Sequence, residues 1–441
     1  MPNLNPPDSV REICRTLERA GNEAWCVGGA VRDALLGINT LDWDIATSAH
    51  PEQVQKLFKR TIPVGIAFGT VGVLDRDGRL HEVTTFRHDV ETDGRHAVVR
   101  FGASLDEDLA RRDFTINAIA VHAESREVRD PHDGQGDLKR RLVRCVGDAR
   151  ERMREDRLRA LRALRFAGRF EFTLDDATWA AIRESAPHLG RLSMERVKQE
   201  LEKVMDQVAH PSATLERYRE AGILAALIPL LAEAPRARFG AIDHLARPAL
   251  ARRPDRRLLR LAALFVEPGV APPRTLERAL KALKFSNIES RAAVTLADGA
   301  GACSLVTLDA LGARLGADDA SAGAELRRAI ARVGRLMVPG LARILWARAA
   351  AEGAPAEGAP AKGAAAPARR RGIALYRAAL RSAFTDPLTL ADLAVDGDDL
   401  RTVGIPDGRA MGETLQRLLD AVLEDPARNT RERLLALAKA R

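Results

Sequence analysis

Hydrophobic residues follow two different patterns along the chain. Residues 10–20 have the three- to four-residue spacing of an amphipathic helix, and residues 24–27 form a short apolar run that ends at a Gly-Gly pair, as a strand entering a turn does. Further strands are predicted at residues 44–46, 70–74, 80–86, 117–122 and 127–129. A DRDG segment between the second and third of these strands is typical of a hairpin turn.

From residue 148 onward the spacing of apolar residues is helical almost throughout. Residues 349–367 interrupt it with a run rich in Ala, Gly and Pro, which cannot pack a core and is typical of a linker. The fold class predicted from these patterns is α+β, with a small mixed-sheet head followed by an all-helical remainder.

Composition adds a candidate partner to this picture. Apolar residues make up 46% of the 441, which is enough to bury a sizeable core. The chain has 69 Lys and Arg against 61 Asp and Glu, a net charge of +8. This balance favours a polyanionic partner such as nucleic acid, and an Arg-rich composition bias is the alternative explanation.

Other signals bear on where the protein is expected to work. The first residues lack the pattern of a signal peptide, and the longest apolar stretch, residues 223–232, is too short to cross a bilayer. The cysteines are far apart, which argues against a disulfide framework or a zinc site. They are Cys14, Cys26, Cys145 and Cys303. We therefore expect a cytoplasmic protein without a membrane segment.

The segment CVGGAVRD at residues 26–33 is the first candidate for chemistry. It predicts a strand, a turn at Gly28 and Gly29, and a helix, so that backbone N–H groups can approach a phosphate at the positive end of the helix. Arg32 would add a fixed positive charge one turn into that helix. Taken alone, a Gly-Gly pair is usually only a turn.

The segment LDWDI at residues 41–45 is the second candidate. Asp42 and Asp44 are separated by one residue, so both carboxylates point to the same face of a strand. Two such oxygen ligands suit a pair of Mg²⁺ ions that bridges a nucleoside triphosphate and an attacking hydroxyl. A lone D-x-D is more often a solvated strand edge, but its position 12 residues after Gly29 is far more specific.

The order G-G-x-V-R-D followed by D-x-D resembles the nucleotidyltransferases of the polymerase-β superfamily. Within it, the chain is similar to the bacterial tRNA nucleotidyltransferases, the CCA-adding enzymes, and to the related poly(A) polymerases. The resemblance implies a nucleotidyltransferase head and helical neck, body and tail domains. The boundaries expected are 1–145 for the head, 146–205 for the neck, 206–348 for the body, 349–371 for the linker and 372–441 for a tRNA-binding tail.

The segment LDEDLARRDFTINA at residues 105–118 resembles the second motif of this family, L-x-E-D-L-x-R-R-D-F-T-x-N-A. In the family that motif helps to hold the ribose and triphosphate. The resemblance implies nucleotide-binding roles for Arg112 as a cation and for Asp113 and Asn117 as partners of hydroxyls. The alternative is an Arg-rich helix start with Asp113 as its cap.

The segment EDRLRALRALRF at residues 155–166 resembles the E-D-x-x-R motif, whose helix acts in the family as a template made of amino acids. Asp156 and Arg159 are predicted to be i,i+3 neighbours on one helix face, where a carboxylate and a guanidinium match the edges of C and A but not U or G. Arg162 and Arg165 continue the spacing and are expected to follow the triphosphate or the RNA. The alternative is a solvated, self-paired charged helix.

Two departures from the family pattern are visible. Many bacterial relatives carry a metal-dependent phosphohydrolase module after the neck, but ALFVEPG at residues 263–269 stands where its His-Asp pair is expected. The body therefore resembles a degenerate remnant of that module, and His244 is expected to be a packed or surface residue. The best candidate for a third carboxylate of the metal site is Glu82.

The predicted function is the template-independent addition of C, C and A to the 3′ end of tRNA from CTP and ATP. Asp42 and Asp44 are its expected catalytic and metal-binding residues, and Mg²⁺ is the expected cofactor. The cationic helices are expected to bind the acceptor stem of tRNA by its phosphates and shape, without an obligatory protein partner.

Three alternatives stay open. A poly(A) polymerase typically has a G-R-R-F-like segment after the D-x-D motif, whereas this chain has VGIAFGTV at residues 64–71. The second alternative is an enzyme limited to CC or to A addition. Residues 87–104 supply the flexible loop that CC-limited enzymes lack, which favours full CCA addition. The third, from another class, is a catalytically inactive RNA-binding protein, against which Asp42 and Asp44 argue.

Overall fold

The structure is a computed structural model of the 441-residue chain. It describes residues 4–40, 42–92, 97–234, 236–245, 256–265, 273–302, 314–315, 320–352 and 365–439. The chain divides into two compact units, Met1–Glu200 with Arg217–Pro229, and Leu201–Glu216 with Leu230–Arg441. The finer boundaries expected from the sequence stay predictions.

The first unit contains the strands. They are β1 (Ala24–Val27), β2 (Asp44–Thr47), β3 (Thr61–Gly65), β4 (Thr70–Leu74), β5 (Leu80–Thr85), β6 (Arg87–Thr92), β7 (Ala97–Phe101), β8 (Ala120–Val121), β9 (Val128–Arg129), β10 (Leu142–Val143) and β11 (Thr173–Leu174). Seven of them form a mixed sheet in the order β3-β4-β5-β2-β1-β8-β9. In this sheet β2 and β5 run parallel, and the other neighbouring strands run antiparallel. The predicted α+β class is confirmed.

Helices also occur throughout residues 8–227. They are α1 (Asp8–Arg19), α2 (Gly29–Leu35), α3 (Pro51–Leu57), α4 (Leu105–Ala110), α5 (Gly134–Arg140), α6 (Ala149–Glu155), α7 (Leu158–Phe170), α8 (Asp176–Ser185), α9 (Met194–Gln207), α10 (Pro211–Glu220) and α11 (Ile223–Leu227). A core cluster joins β1, β2, β8 and α4 through buried Val27, Ala46, Ala120 and Leu109. This packing fixes the strand ends that carry the candidate residues.

The rest of the second unit is helical. Its described helices are α12 (Pro229–Ala232), α13 (Arg236–Asp243), α14 (Arg256–Leu264), α15 (Pro273–Ala282), α16 (Asn287–Ala302), α17 (Ala320–Val333), α18 (Val338–Glu352), α19 (Ala365–Thr385), α20 (Gly397–Thr402), α21 (Arg409–Glu424) and α22 (Arg431–Lys439). Of the predicted linker, residues 353–364 lie outside the described residues, and its two ends belong to α18 and α19. In the described part of the chain, none of the helices has the length and apolar character needed to cross a membrane.

Several local predictions need correction. Residues 87–92 and 97–101 of the expected flexible loop pair as the antiparallel strands β6 and β7, while residues 93–96 lie outside the described residues. Within the strand predicted at 117–122, only Ala120–Val121 is extended, because Thr115–Asn117 forms a 3-10 turn. The strands predicted at 24–27, 70–74 and 80–86 and the hairpin between the last two are confirmed.

Candidate active site

The register of three strands brings the candidate carboxylates to one end of the sheet. β1 and β2 pair antiparallel with Val27 opposite Asp44, so the Gly28 turn that follows β1 lies beside the start of β2. β5 runs parallel to β2 with Val83 opposite Ile45, which places the preceding residue, Glu82, beside Asp44.

The charges around Asp44 repel one another. Burial and the negative charges of Glu82 and Asp42 together raise the pKa of the Asp44 carboxyl to about 7, although the positive charge of Arg112 acts in the opposite direction. A carboxylate whose pKa stays raised despite a nearby arginine is stabilised further when a cation binds beside it.

Gly28 allows a cation to approach these carboxylates. A Cβ atom at this position would lie 3.0 Å from Arg112 Nη1 and 4.0 Å from Asp44 Oδ2. Gly28 also has a φ of 74°, a left-handed conformation that other residues rarely adopt. The glycine therefore leaves room for the guanidinium and the carboxylate to meet.

Arg112 is anchored on one side and available on the other. Its Nη2 donates to Asp108 Oδ2 at 3.0 Å. Asp108 is a buried residue of α4 and lies one helical turn before Arg112. The buried Nε of Arg112 has no hydrogen-bond partner among the residues that the structure describes. The side chain as a whole is 19% exposed, so the guanidinium can be reached by a ligand such as a phosphate oxygen.

Asp113 and Asn117, by contrast, are fully engaged with protein groups. Asp113 Oδ2 accepts from Arg162 Nε at 2.8 Å and from its Nη2 at 2.6 Å, and Asp113 Oδ1 accepts from Asn117 Nδ2 at 2.9 Å. Burial alone would raise the pKa of Asp113, but the charge of Arg162 and the bond from Asn117 outweigh it and lower the pKa to about 2. This network fixes the backbone that follows Arg112.

Arg32 lies in the interior rather than at an open surface. The side chain is 3% exposed, and its Cζ lies 4.9 Å and 4.8 Å from the ring centroids of Phe166 and Phe170. Its Nε donates to Asp33 at 2.8 Å, and its Nη1 donates to Asn117 Oδ1. In this structure Arg32 joins α2 to α7 and to the Asp113 network.

The prediction that Asp156 and Arg159 share one helix face is wrong. α6 ends at Glu155, Asp156 has extended backbone angles, and α7 begins only at Leu158. Asp156 Oδ1 accepts from the N–H of Leu158 at 3.0 Å, and its Oδ2 accepts from Arg196 Nη2 at 2.6 Å. The carboxylate therefore bonds to the first turn of α7, where the orphan N–H groups of a helix need acceptors.

Arg159, Arg162 and Arg165 of α7 each bond to different protein groups. Arg159 donates to the carbonyl oxygens of Arg152 and Arg111 at 3.0 Å and 3.1 Å and to Glu155 Oε2 at 2.6 Å. Arg165 Nε donates to Glu200 Oε2 at 2.6 Å, with both side chains buried. Each three-residue step turns by about 60° around a helix, so Arg159, Arg162 and Arg165 spread over about 120° and reach different partners.

Three structural partners were missed from the sequence. Asp108 binds both Arg111 and Arg112, and the i,i+3 and i,i+4 spacing was the signal that predicts this. Glu200 accepts a hydrogen bond from Arg165, and the ring of Phe170 packs against the guanidinium of Arg32. These partners are distant in sequence, so no local spacing predicts the contacts.

The donor chemistry of the strand ends fits a divalent cation. In the described part of the chain, no three His, Cys, Asp or Glu side chains already surround one metal position. Mg²⁺, however, is commonly held by one or two carboxylates, with waters and substrate phosphates completing its coordination. Asp42 and Asp44 supply such a pair. In the second unit His244 packs edge-on against Trp346, which confirms that it is a packed residue.

Comparison with known proteins identifies the families that the first unit resembles. Residues 24–144 match the family described as Poly A polymerase head domain, and residues 171–234 match the one described as Probable RNA and SrmB- binding site of polymerase A. The CCA-adding enzyme of Levilactobacillus brevis is 48% identical over 200 residues, 45% of this chain and 50% of that protein.

Longer matches cover almost the whole chain. The crystal structure of Bacillus stearothermophilus CCA-adding enzyme in complex with CTP is 32% identical and superposes with a TM-score of 0.70, covering 99% of this chain and 97% of that one. The Thermotoga maritima CCA-adding enzyme complexed with tRNA, at 20% identity and a TM-score of 0.61, shares the fold over 98% of this chain and 94% of that one. Since the CCA-adding enzyme of Geobacillus kaustophilus is 37% identical over 98% of this chain and 97% of its own length, the chain belongs to the CCA-adding enzyme family of tRNA nucleotidyltransferases.

Proposed function

We propose that this chain adds C, C and A to the 3′ end of tRNA from CTP and ATP, with Asp42 and Asp44 holding Mg²⁺ at the reacting phosphate. The observation that carries the site assignment is the strand register, which gathers Asp44, Glu82 and the Gly28 turn beside Arg112. The family is metal-dependent, and the carboxylate pair fits Mg²⁺ as the metal. The expected compartment is the cytoplasm.

The residues of the chain then divide the work. Bound Mg²⁺ would supply charge stabilisation at the α-phosphate and the leaving pyrophosphate and would favour ionisation of the RNA 3′-hydroxyl. Gly28 and Gly29 leave the turn open to the triphosphate, and the partly exposed guanidinium of Arg112 can donate to a phosphate oxygen. Arg32, Asp113 and Asn117 act from within the fold by holding α2 and the chain after α4 in place.

Nucleotide choice is proposed to depend on Asp156 and Arg159. The Asp156 side chain is 27% exposed, so a base can reach it and exchange its exocyclic amine for the guanidinium of Arg196. Arg159 uses three of its five N–H groups in bonds to the described protein, and the other two can donate to a ring nitrogen of C or A. Arg162 and Arg165 are proposed to act through the Asp113 and Glu200 pairs.

The test is incorporation of each labelled nucleotide into tRNA that lacks CCA, followed by sequencing of the 3′ ends. The expected product ends in CCA and stops there. Addition of A alone would indicate a poly(A) polymerase or an A-adding enzyme, and addition of CC alone would indicate a CC-limited enzyme. Binding of tRNA without any incorporation would overturn the proposed activity and indicate an RNA-binding protein.

A further inference from the structure

A second cluster of cations lies in the first unit, apart from the strand ends. Here α6 and α8 enclose an open pocket of about 180 Å³, lined among others by Arg150, Arg154, Arg157, Ser185 and His188. None of these residues belongs to the carboxylate site. The pocket contributes nothing to the phosphate-transfer chemistry described above and needs a separate explanation.

Within the described residues, one arginine of the pocket forms an ion pair. Arg150 forms a two-pronged ion pair with Glu184, through Nε at 2.9 Å and Nη2 at 2.9 Å. Among the residues that the structure describes, no carboxylate forms an ion pair with Arg154, Arg157 or the neighbouring Arg191. Arg157 has one long hydrogen bond, from Nη1 to Ser185 Oγ at 3.4 Å.

The three unpaired arginines repel one another. Burial and the positive charges of Arg191 and Arg154 lower the pKa of Arg157. Repulsion of this kind costs stability and is relieved when an anion with several oxygens enters, because each guanidinium can donate to it in a planar fork.

We propose that Arg154, Arg157 and Arg191 bind the sugar–phosphate backbone of the tRNA substrate at this pocket. The proposal rests on the proposed function, which supplies the RNA. The pocket is open and Arg154 and Arg191 are exposed, which suits a continuous polyanion that passes over the surface. Cations without a base-reading partner contact phosphates and position the RNA rather than read its sequence.

A neighbouring observation favours RNA over a free anion. The match to an RNA-binding family begins at residue 171 and includes Ser185 and His188 of the pocket lining and Arg191, whose charge acts on Arg157. Asp156, the proposed nucleotide-selecting residue, directly precedes Arg157. RNA held at the cluster would therefore be fixed close in sequence to the element that selects the incoming base.

The test is direct binding of tRNA lacking CCA, measured by fluorescence anisotropy without nucleotides over a series of salt concentrations. Arg154→Ala and Arg191→Ala should each weaken binding roughly three- to tenfold at about 0.1 M salt and reduce the slope of log affinity against log salt by about 1. Arg154→Lys should restore most of the slope, because it restores the charge. Arg183→Ala, an exposed arginine of α8 outside the pocket lining, is the matched control and should leave the slope unchanged.

Kinetics separate this inference from the proposed function. The variants should raise KM for tRNA while kcat and KM for CTP stay at wild-type values. A salt slope equal to that of Arg183→Ala would overturn the inference, and so would a raised KM for CTP, which would assign the pocket to the triphosphate. A wild-type protein that binds tRNA with the expected slope but incorporates nothing would overturn the proposed function and leave the inference standing.

Discussion

Asp44 and Asp113 are partly or fully buried in the same unit, yet their carboxylates have opposite surroundings. Asp44 lies among the negative charges of Glu82 and Asp42, and its pKa is raised to about 7. Asp113 is held by Arg162 and Asn117, and its pKa is lowered to about 2. At Asp44 burial and the neighbouring carboxylates outweigh the positive charge of Arg112, whereas at Asp113 the partners outweigh burial.

We expect this difference to separate a group that takes part in the chemistry from a group that supports the fold. A buried carboxylate next to other carboxylates is costly to the fold, and such cost is typical of positions that bind a cation or take part in chemistry. A buried carboxylate with all its hydrogen bonds satisfied has no capacity left for a ligand. The sequence motifs predict that both Asp44 and Asp113 belong to the site. Only the groups around each carboxylate distinguish a metal-binding role from a supporting role.

The largest expected effect is on the rate of incorporation. Asp42→Asn or Asp44→Asn should lower the single-turnover rate by about 10³-fold, since removing a metal ligand costs several kcal/mol in the transition state. Binding of tRNA should change little, because these side chains are expected to hold metal rather than RNA. Retention of more than a tenth of the wild-type rate would rule out the metal assignment.

The strand register was predictable only in part from the sequence. The β1, β4 and β5 strands follow from apolar runs and a DRDG turn, whereas β3 has mostly exposed residues and includes Pro63, so it carries no alternation that a pattern can detect. Its place at the sheet edge is set by pairing with β4. Long-range pairing of this kind leaves little trace in local sequence.

The site shows the same limit. The spacing of Asp42 and Asp44 predicts two carboxylates on one face, but the break between α6 and α7 at Asp156 is not visible in a run that looks helical throughout. The spacing of Asp156 and Arg159 therefore predicts one helix face, which the break removes. The partners Glu200, Asp113 and Arg111 that receive the arginines come from other elements.

The second prediction is that the two aspartates affect stability with opposite dependence on pH. The folded pKa of Asp113, about 2, lies below its ordinary 3.8, so its contribution is present above pH 4 and lost as pH falls through 2. The folded pKa of Asp44, about 7, lies above 3.8, so the metal-free fold loses stability as pH rises from 4 to 7.

Chemical denaturation of the metal-free protein measures both effects. The advantage of Asp44→Asn over wild type should grow by about 4 kcal/mol between pH 4 and pH 8. The advantage of wild type over Asp113→Asn should shrink by about 2 kcal/mol between pH 5 and pH 2. Added Mg²⁺ should remove the first effect and leave the second. The same sign for both variants would contradict the comparison.

The third prediction concerns Asp156, whose carboxylate is partly exposed and paired with Arg196. Asp156→Ala should reduce discrimination between CTP and UTP by about 5- to 150-fold, the 1–3 kcal/mol of a good base contact. Single-nucleotide incorporation with all four nucleotides measures it, and Asp42→Asn is the control that loses rate without changing selectivity. Wild-type selectivity in Asp156→Ala would show that this carboxylate only supports α7.

The smallest expected effect tests whether the charge of Glu82 contributes to the raised pKa of Asp44. Glu82→Gln removes one of the negative charges that act on Asp44, so the pKa of Asp44 in the metal-free protein should fall. Because Glu82 is exposed and its field is screened by water, the decrease should be only about 0.5–1. Carboxyl NMR of the metal-free protein gives the value, and the decrease should diminish as salt is added. Glu52→Gln, an exposed change on α3, is the matched control and should leave the pKa of Asp44 unchanged. An unchanged value in Glu82→Gln would mean that burial and Asp42 alone raise the pKa of Asp44, and Glu82 would then have no place among the carboxylates of the site.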